Sequence, residues 1–194
     1  NDKGLSEIIT GLGAHPQAPL RETGFDLTAA SEVMAILALA NSLSDLQERL
    51  SRIVVGRDQE GRAVCAREIG CVGSMTALLR DAMRPNLVQT CENTPALVHA
   101  GPFANIAHGN SSVLADLAAI RLGDFVVTES GFGADCGAEK LFDIKCRVSG
   151  ITPDVEVLMC TIRALKYQSG RFEVKPGRPL PENLFVEDLE ALHA

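Results

Sequence analysis

The segment from Thr94 to Lys145 constrains the fold more than any other part of the chain. Two short apolar runs, at 96–98 and 124–129, each end in a glycine-rich loop, and a helical run follows each loop. Strands that alternate with helices of about ten to fifteen residues are typical of βαβ units with a parallel sheet. A third apolar run, at 155–160, would complete a βαβαβ core over 94–167. We therefore predict an α/β fold with Rossmann-like or P-loop-NTPase-like layering.

Helical and loop patterns flank this core. Residues 1–93 predict a helical region that contains a pair of helices and a small hairpin near 53–65. The first helix opens at Ser31 and is apolar on more than one face, whereas a capping box at Ser44 opens the second. Residues 85–94 have the pattern of a connector. Residues 168–194 are rich in Pro and Gly, which predicts an arm that ends in a short helix.

Composition narrows the class of protein. Hydrophobic residues make up 46% of the 194 residues and aromatic residues 4%, which indicates an aliphatic core. The net charge of −7 argues against a nucleic-acid partner, and no apolar run has the roughly 20 residues of a membrane span. We expect a cytoplasmic protein whose six cysteines are reduced packing residues, with no metal site. The opening residues carry no secretory pattern, and we expect an internal segment of a longer polypeptide.

The loop Gly131-Phe-Gly133 is the first candidate ligand site. Ligands of open α/β sheets bind beyond the carboxyl ends of the strands, and glycines let backbone amides approach a phosphate or a flat ring. Phe132, between two glycines, is free to stack on a planar ligand, although packing in the core explains it equally well. Glu129 and Asp135, on either side of Phe132, are candidate paired carboxylates for acid–base chemistry, although binding of loop amides or water explains them equally well.

The loop from Gly101 to Asn110 is the second candidate. Asn105, His108 and Gly109 precede a helix whose free amides suit an anion. A hydrolase triad around His108 is disfavoured because no Gly-x-Ser-x-Gly elbow accompanies it. Arg163, after the third predicted strand, could bind a carboxylate or phosphate or simply lie in solvent. The sequence contains no Gly-x-x-x-x-Gly-Lys-Ser/Thr loop, the P-loop device for ATP.

Several long motifs together resemble one enzyme family. The chain is similar to formate–tetrahydrofolate ligase (10-formyltetrahydrofolate synthetase) from about Gly11 to Lys166. The motifs that carry the resemblance are Arg21-Glu-Thr-Gly-Phe-Asp-Leu-Thr-Ala-Ala-Ser-Glu-Val-Met-Ala-Ile-Leu37, Pro85-Asn-Leu-Val-Gln-Thr90, His99-Ala-Gly-Pro-Phe-Ala-Asn-Ile-Ala-His-Gly-Asn-Ser111, Val127-Thr-Glu-Ser-Gly-Phe-Gly-Ala-Asp135, Gly137-Ala-Glu-Lys140, Asp143-Ile-Lys-Cys-Arg147 and Thr161-Ile-Arg-Ala-Leu-Lys166.

The resemblance implies an ATP-dependent ligation of formate to tetrahydrofolate through formyl phosphate. Members of the family run to well over twice this length, and their P-loop for ATP with Mg²⁺ lies upstream of the matching region. We expect a homo-oligomer. Phe132 falls on a family phenylalanine associated with the folate pocket. Asn105, His108 and Gly109 fall on the family's Gly-Pro-Phe-Ala-Asn-Ile-Ala-His-Gly loop, so we expect this chain to contribute loops of the folate and formyl-phosphate site and to be inactive alone.

Two other functions are compatible with the residues. An NADP-binding oxidoreductase module would hold the pyrophosphate at Gly131 and Gly133 and the 2′-phosphate at Arg163. A folded but inactive domain used for subunit contacts is the third possibility, because unpaired strand edges promote association.

Overall fold

A computed structural model describes residues 3–13, 17–26, 30–101, 108–175 and 177–193. The chain divides into two compact units, Asn1–Thr152 and Pro153–Ala194, each with its own contacts. The domain boundaries predicted after residues 93 and 167 stay predictions.

The predicted helical pair is present and forms the centre of the first unit. Helix α1 spans Glu32–Leu39 and helix α2 spans Leu43–Ser51. Ser31 caps α1 by accepting a hydrogen bond from the Met34 amide, as its position before the apolar run predicts. Helix α2 is capped by Ser42 and not by the predicted Ser44, since the Ser42 side chain reaches the Asp45 amide at 3.1 Å.

The core of the first unit is aliphatic, as the composition predicts. Helix α3, Val72–Leu79, ends in a 3-10 turn at Asp81–Met83, and helix α4 spans Val113–Leu122. Both pack against the helical pair. The buried side chains of this core are Leu37, Ala40, Leu46, Leu50 and Met83.

The strands of the described residues form three two-stranded antiparallel sheets. They pair β1, Ile8–Thr10, with β2, Arg21–Thr23; β3, Val54–Arg57, with β4, Ala63–Cys65; and β5, Asn86–Gln89, with β6, Pro95–Val98. The second of these is the predicted hairpin. Residues 8–10, within the region predicted as helical, are extended because they pair with β2.

The mixed α/β class is confirmed, but the parallel βαβαβ core is not. Strand β6, its predicted first strand, pairs antiparallel with β5, in the stretch predicted as a connector. A tight turn explains the difference: Asn93 takes a left-handed φ of 65°, and the Thr90 amide donates to the Thr94 carbonyl at 2.9 Å. Asn tolerates this conformation and so closes a hairpin.

The other two predicted strands, at 124–129 and 155–160, have no ladder partner among the described residues. Their apolar side chains are exposed, with Phe125 at 92% and Val127 at 96%. β-branched and aromatic residues favour an extended backbone, but a strand also needs a neighbour to pair with. Local sequence predicts the conformation and cannot supply that neighbour.

The predicted helix after Gly133 is present in an unusual form. It begins with two π-helical stretches, Ala134–Ala138 and Leu141–Cys146, and ends in α5, Arg147–Ser149. π-Helical turns are rare and occur frequently at functional sites. Here they lie directly after the glycine-rich loop.

The second unit is built from short helices around a small core. Helix α6 spans Ile162–Gln168, a 3-10 turn spans Glu182–Phe185, and α7 spans Leu189–His193. Phe172, Leu184 and Ala191 are its buried hydrophobic residues. The buried Lys166 ammonium lies 5.0 Å from the centre of the Phe172 ring and donates to the Leu184 carbonyl at 2.7 Å. Across the described parts of both units, every helix is too short or too polar to cross a membrane.

The packing of α2 generates the first prediction. Leu46 is fully buried in the core, whereas Leu43, on the same helix, is 44% exposed. We expect Leu46→Ala to lower the free energy of unfolding by about 2–5 kcal/mol, because it leaves a cavity. Urea unfolding measures this, and Leu43→Ala is the matched control, expected to change it by less than about 1 kcal/mol. Equal losses in the two variants would contradict the assignment of the core.

Candidate functional site

One crevice in the first unit brings the two predicted glycine-rich loops together. Its volume is about 380 Å³, and it lies between the end of β6, the start of α4 and the segment before the π-helical turns. The residues that line it are Leu97, Val98, His99, Ala100, Gly101, Gly109, Asn110, Ser111, Glu129 and Gly131.

A backbone hydrogen bond joins the two loops at this crevice. The Gly131 amide donates to the Gly109 carbonyl at 2.8 Å. Gly109 has a φ of 100°, which favours glycine, and a Cβ there would overlap the Gly137 carbonyl oxygen. Gly109 thus allows the first loop to contact the π-helical turn that follows the second.

Two residues at the crevice are held in a strained backbone conformation. Ala100, in the wall, has a φ of 47°, and Phe132, directly after the lining residue Gly131, has a φ of 61°. Positive φ is unfavourable for residues with a side chain and costs on the order of 1–3 kcal/mol each. Such strain is concentrated at functional sites. The Phe132 side chain is 76% exposed, so packing in the core does not explain it.

Some of the predicted site residues lie at the crevice and others do not. Gly109, Glu129 and Gly131 line the crevice, and Phe132 and Gly133 follow them in the same loop. Asn105 lies outside the described residues. Arg163 belongs to the second unit, where its guanidinium carbon lies 4.9 Å from the centre of the Phe185 ring. That part of the second unit lines a separate groove of about 1040 Å³.

His99 is buried, as its apolar strand predicts. Its Nε2 lies 2.6 Å from the Ala82 carbonyl and its Nδ1 2.6 Å from the Ser112 hydroxyl. A carbonyl only accepts, so Nε2 carries a hydrogen, and in the neutral ring Nδ1 accepts from Ser112. Ser112 in turn accepts from the Ala115 amide as the cap of α4. His99 therefore connects the crevice wall to the start of α4.

His108 is buried beside the crevice loop and does not line the crevice. Its Nε2–H donates to the Ser111 carbonyl at 2.9 Å, and its Nδ1 has no hydrogen-bond partner among the described residues. Burial lowers the pKa of His108 below its ordinary value of 6.5, and the charge of Lys145 lowers it further. Hydrogen bonding to Ser111 and the charge of Asp116 oppose this shift.

Lys145, which the sequence patterns did not indicate, is the most buried charged residue near the crevice, at 1% exposure. Its ammonium lies 2.5 Å from Asp116 Oδ2 and donates to Asn110 Oδ1 at 2.6 Å. Burial lowers the pKa of Lys145, and hydrogen bonding to Asp116 opposes the shift. The sequence feature that could have indicated Lys145 is a lysine among the mostly apolar residues from Leu141 to Cys146. Its partners, Asp116 and Asn110, are distant in sequence and could not be inferred from it.

The described residues offer little to a metal. No group of three or more His, Cys, Asp or Glu side chains converges anywhere in the described ranges. The polar groups at the crevice are those of a carboxylate, an amide, a hydroxyl, the imidazole of His99 and the backbone amides. These groups suit an organic ligand with hydrogen-bonding edges.

The burial of His108 generates a prediction about pH. Its folded pKa lies below the unfolded value of 6.5, so between these two values the unfolded chain binds a proton that the folded chain does not. Stability is therefore full above about pH 6.5 and falls as the pH falls through this window. We expect the Tm to drop from about pH 7.5 to about pH 5.5, and His108→Gln to reduce that drop. His193→Gln, at an exposed histidine, is the control, and an identical drop in both variants would contradict the assignment.

Comparisons with known proteins identify the family. The family model described as formate–tetrahydrofolate ligase matches residues 1–194. Formate–tetrahydrofolate ligase 2 of Rubrobacter xylanophilus is 59% identical over 188 residues, which is 97% of this chain and 33% of that protein. The ligases of Saccharopolyspora erythraea and Desulforamulus reducens are 58% and 54% identical over 97% and 99% of this chain, and over 33% and 34% of their own lengths. The chain thus spans about a third of the curated relatives it matches, and it belongs to the formate–tetrahydrofolate ligase family.

Proposed function

We propose that this chain supplies the walls of a folate-binding crevice in an enzyme that joins formate to tetrahydrofolate at the expense of ATP. The observation that carries the proposal is the hydrogen bond between the Gly131 amide and the Gly109 carbonyl. It brings the two loops on which the family resemblance depends to one crevice. The product would be 10-formyltetrahydrofolate, with formyl phosphate as the activated intermediate.

Phe132 is the residue we assign to the pteridine ring. Aromatic rings bind flat heterocycles by offset stacking, which requires a free face. Phe132 is 76% exposed and lies between two glycines that add no competing side chain. Its positive φ is an energetic cost that a binding role would explain.

Formyl transfer from a mixed anhydride requires orientation and hydrogen-bond donors more than a strong base. The N10 amine attacks the formyl carbon, negative charge develops on the formyl oxygen, and phosphate leaves. Preorganised donors in a water-poor site stabilise that oxygen. Backbone amides of the glycine-rich loops are donors of this kind, and Glu129, in the wall, can accept from N–H groups of the substrate. Arg163 and His108 stay in the proposal as predicted ligand residues without an assigned contact.

ATP with Mg²⁺ enters the proposal from the family alone. The sequence contains no P-loop, and the described residues contain no convergent set of metal-ligating side chains. The residues present therefore do not fit an ATP·Mg²⁺ site, and we assign none of them to it. A homo-oligomeric state and a cytoplasmic location likewise stay expectations.

The family match leaves the NADP-binding alternative without support. The matching ligases align with 97–99% of this chain at 54–59% identity. The family match thus accounts for the chain as a whole, whereas a lone Gly-x-Gly is a weak signal for a dinucleotide site, so we propose only the ligase function.

The role of Phe132 is tested by its removal. We expect Phe132→Ala to raise the Kd for tetrahydrofolate about three- to tenfold, because an aromatic stacking pair is worth about 0.5–1.5 kcal/mol. Isothermal titration calorimetry on the 194-residue chain measures this. Phe125→Ala removes an even more exposed ring that, unlike Phe132, is not adjacent in sequence to a residue of the crevice lining, and it should leave the Kd unchanged. The proposal fails if Phe132→Ala binds as tightly as the wild type.

An activity assay tests the expectation that this chain is inactive alone. We expect the 194-residue chain, given formate, tetrahydrofolate and ATP with Mg²⁺, to form no 10-formyltetrahydrofolate, because it lacks the phosphate-binding loop. The full-length Rubrobacter xylanophilus ligase is the positive control. Turnover by this chain alone would show that its own residues bind and activate ATP.

A further inference from the structure

The amide of Asn110 is held in one orientation at the crevice wall. Its Oδ1 accepts from Lys145 Nζ at 2.6 Å, and its Nδ2 lies 3.4 Å from Thr128 Oγ1. An ammonium group has three donors and no acceptor, so only the amide oxygen can face Lys145. The usual ambiguity between the two ends of an asparagine amide is thereby removed.

Lys145 is itself fixed in place. It is buried, and the carboxylate of Asp116, on α4, neutralises its charge at 2.5 Å. Asn110 is the second partner and needs no charge of its own. The three side chains, of which Lys145 is buried and the other two are half-buried, connect α4, the π-helical turns and the first loop.

We infer that Asn110 binds ligand by presenting its amide N–H to an oxygen atom, and that Lys145 is the positioning residue that orients it. This inference rests on the proposed function, which supplies a ligand for the crevice. The amide nitrogen has two hydrogens, and the contact with Thr128 is long for a hydrogen bond. A hydrogen bond from this amide to a ligand therefore costs the protein at most the weak contact with Thr128.

Two ligand oxygens have the required chemistry. One is the carbonyl oxygen of the pteridine ring, and the other is a formyl or phosphoryl oxygen of the activated acid. Both are acceptors that a neutral amide can bind without the full desolvation cost of a cation. The experiment distinguishes them by its probes.

The donor is tested with Asn110→Asp. The aspartate has the same shape and still accepts from Lys145, but it has no N–H. Two probes are titrated, tetrahydrofolate and inorganic phosphate. For the probe that binds at Asn110 we expect the Kd to rise at least about tenfold, because loss of the hydrogen-bond donor to a ligand oxygen costs about 1.4 kcal/mol or more. Asn183→Asp adds the same charge at an exposed position in the second unit and should leave the Kd unchanged.

The NMR signal of the Asn110 side-chain amide, in a ¹⁵N-labelled chain, reports the contact directly. A saturable shift with tetrahydrofolate alone assigns the oxygen to the pterin, and a shift with phosphate alone assigns it to the phosphoryl group. The absence of a shift with both probes overturns the inference.

The variants distinguish failure of the inference from failure of the proposed function. If Phe132→Ala weakens tetrahydrofolate binding and Asn110→Asp does not, the proposed function stands and the inference fails. If tetrahydrofolate does not bind to the wild-type chain, the proposed site fails and the phosphate titration decides the inference.

The positioning role of Lys145 is tested by changing Lys145 together with its partner Asp116. Lys145→Met alone would leave the half-buried Asp116 carboxylate without a counter-charge, so Lys145→Met is combined with Asp116→Asn. We expect this double variant to weaken probe binding about as much as Asn110→Asp, with no further loss when the three changes are combined, because all act through one amide. Lys145→Arg retains a cationic donor and should retain more of the binding. Wild-type probe affinity in Lys145→Met/Asp116→Asn would overturn the positioning role.

Discussion

The buried ammonium of Lys145 is the interaction on which the crevice depends. A charge removed from water is costly unless it is paired and its remaining donors are used. Asp116 supplies the charge and Asn110 supplies an acceptor, at 2.5 and 2.6 Å. Because each partner belongs to a different element, satisfying one cation aligns α4, the first loop and the π-helical turns. A hydrophobic residue in its place could fill the volume but could not define the direction of the Asn110 amide.

Backbone hydrogen bonding and unusual φ angles also fix the geometry of the crevice. The Gly131–Gly109 hydrogen bond joins the two loops, and Gly109 accepts a φ of 100° because it has no Cβ. Ala100 and Phe132 lack that freedom and still have positive φ. Their strain can persist only because the surrounding contacts over-determine it. Rigid, strained walls are what preorganised binding requires, since a preformed site loses less conformational entropy when a ligand enters.

Local patterns in the sequence predicted local structure well. The helix that opens at Ser31, the helical run after the Gly101–Asn110 loop and the hairpin near 53–65 are all present, because capping and periodicity act over a few residues. The loops at Gly109 and Gly131, which the sequence predicts as candidate sites, meet at one crevice, and their role in binding stays a prediction. The parallel sheet was not obtained, because strand pairing is non-local and Asn93 closes a hairpin instead. Lys145 was missed for the same reason, since its contact with Asn110 spans 35 residues.

The charge of the crevice favours one of its two possible ligand oxygens. Glu129 is the charged residue among the described residues that line it, and these described lining residues include no lysine or arginine. A phosphate would meet the Glu129 carboxylate without a compensating cation from these lining residues, which is unfavourable in a partly desolvated site. A pterin has N–H groups that a carboxylate accepts from and a carbonyl oxygen that an amide donates to. In the proposed roles, with Glu129 as acceptor, Asn110 as donor and Phe132 as stacking ring, these residues would complement the edge and the face of a neutral heterocycle better than they would complement an anion.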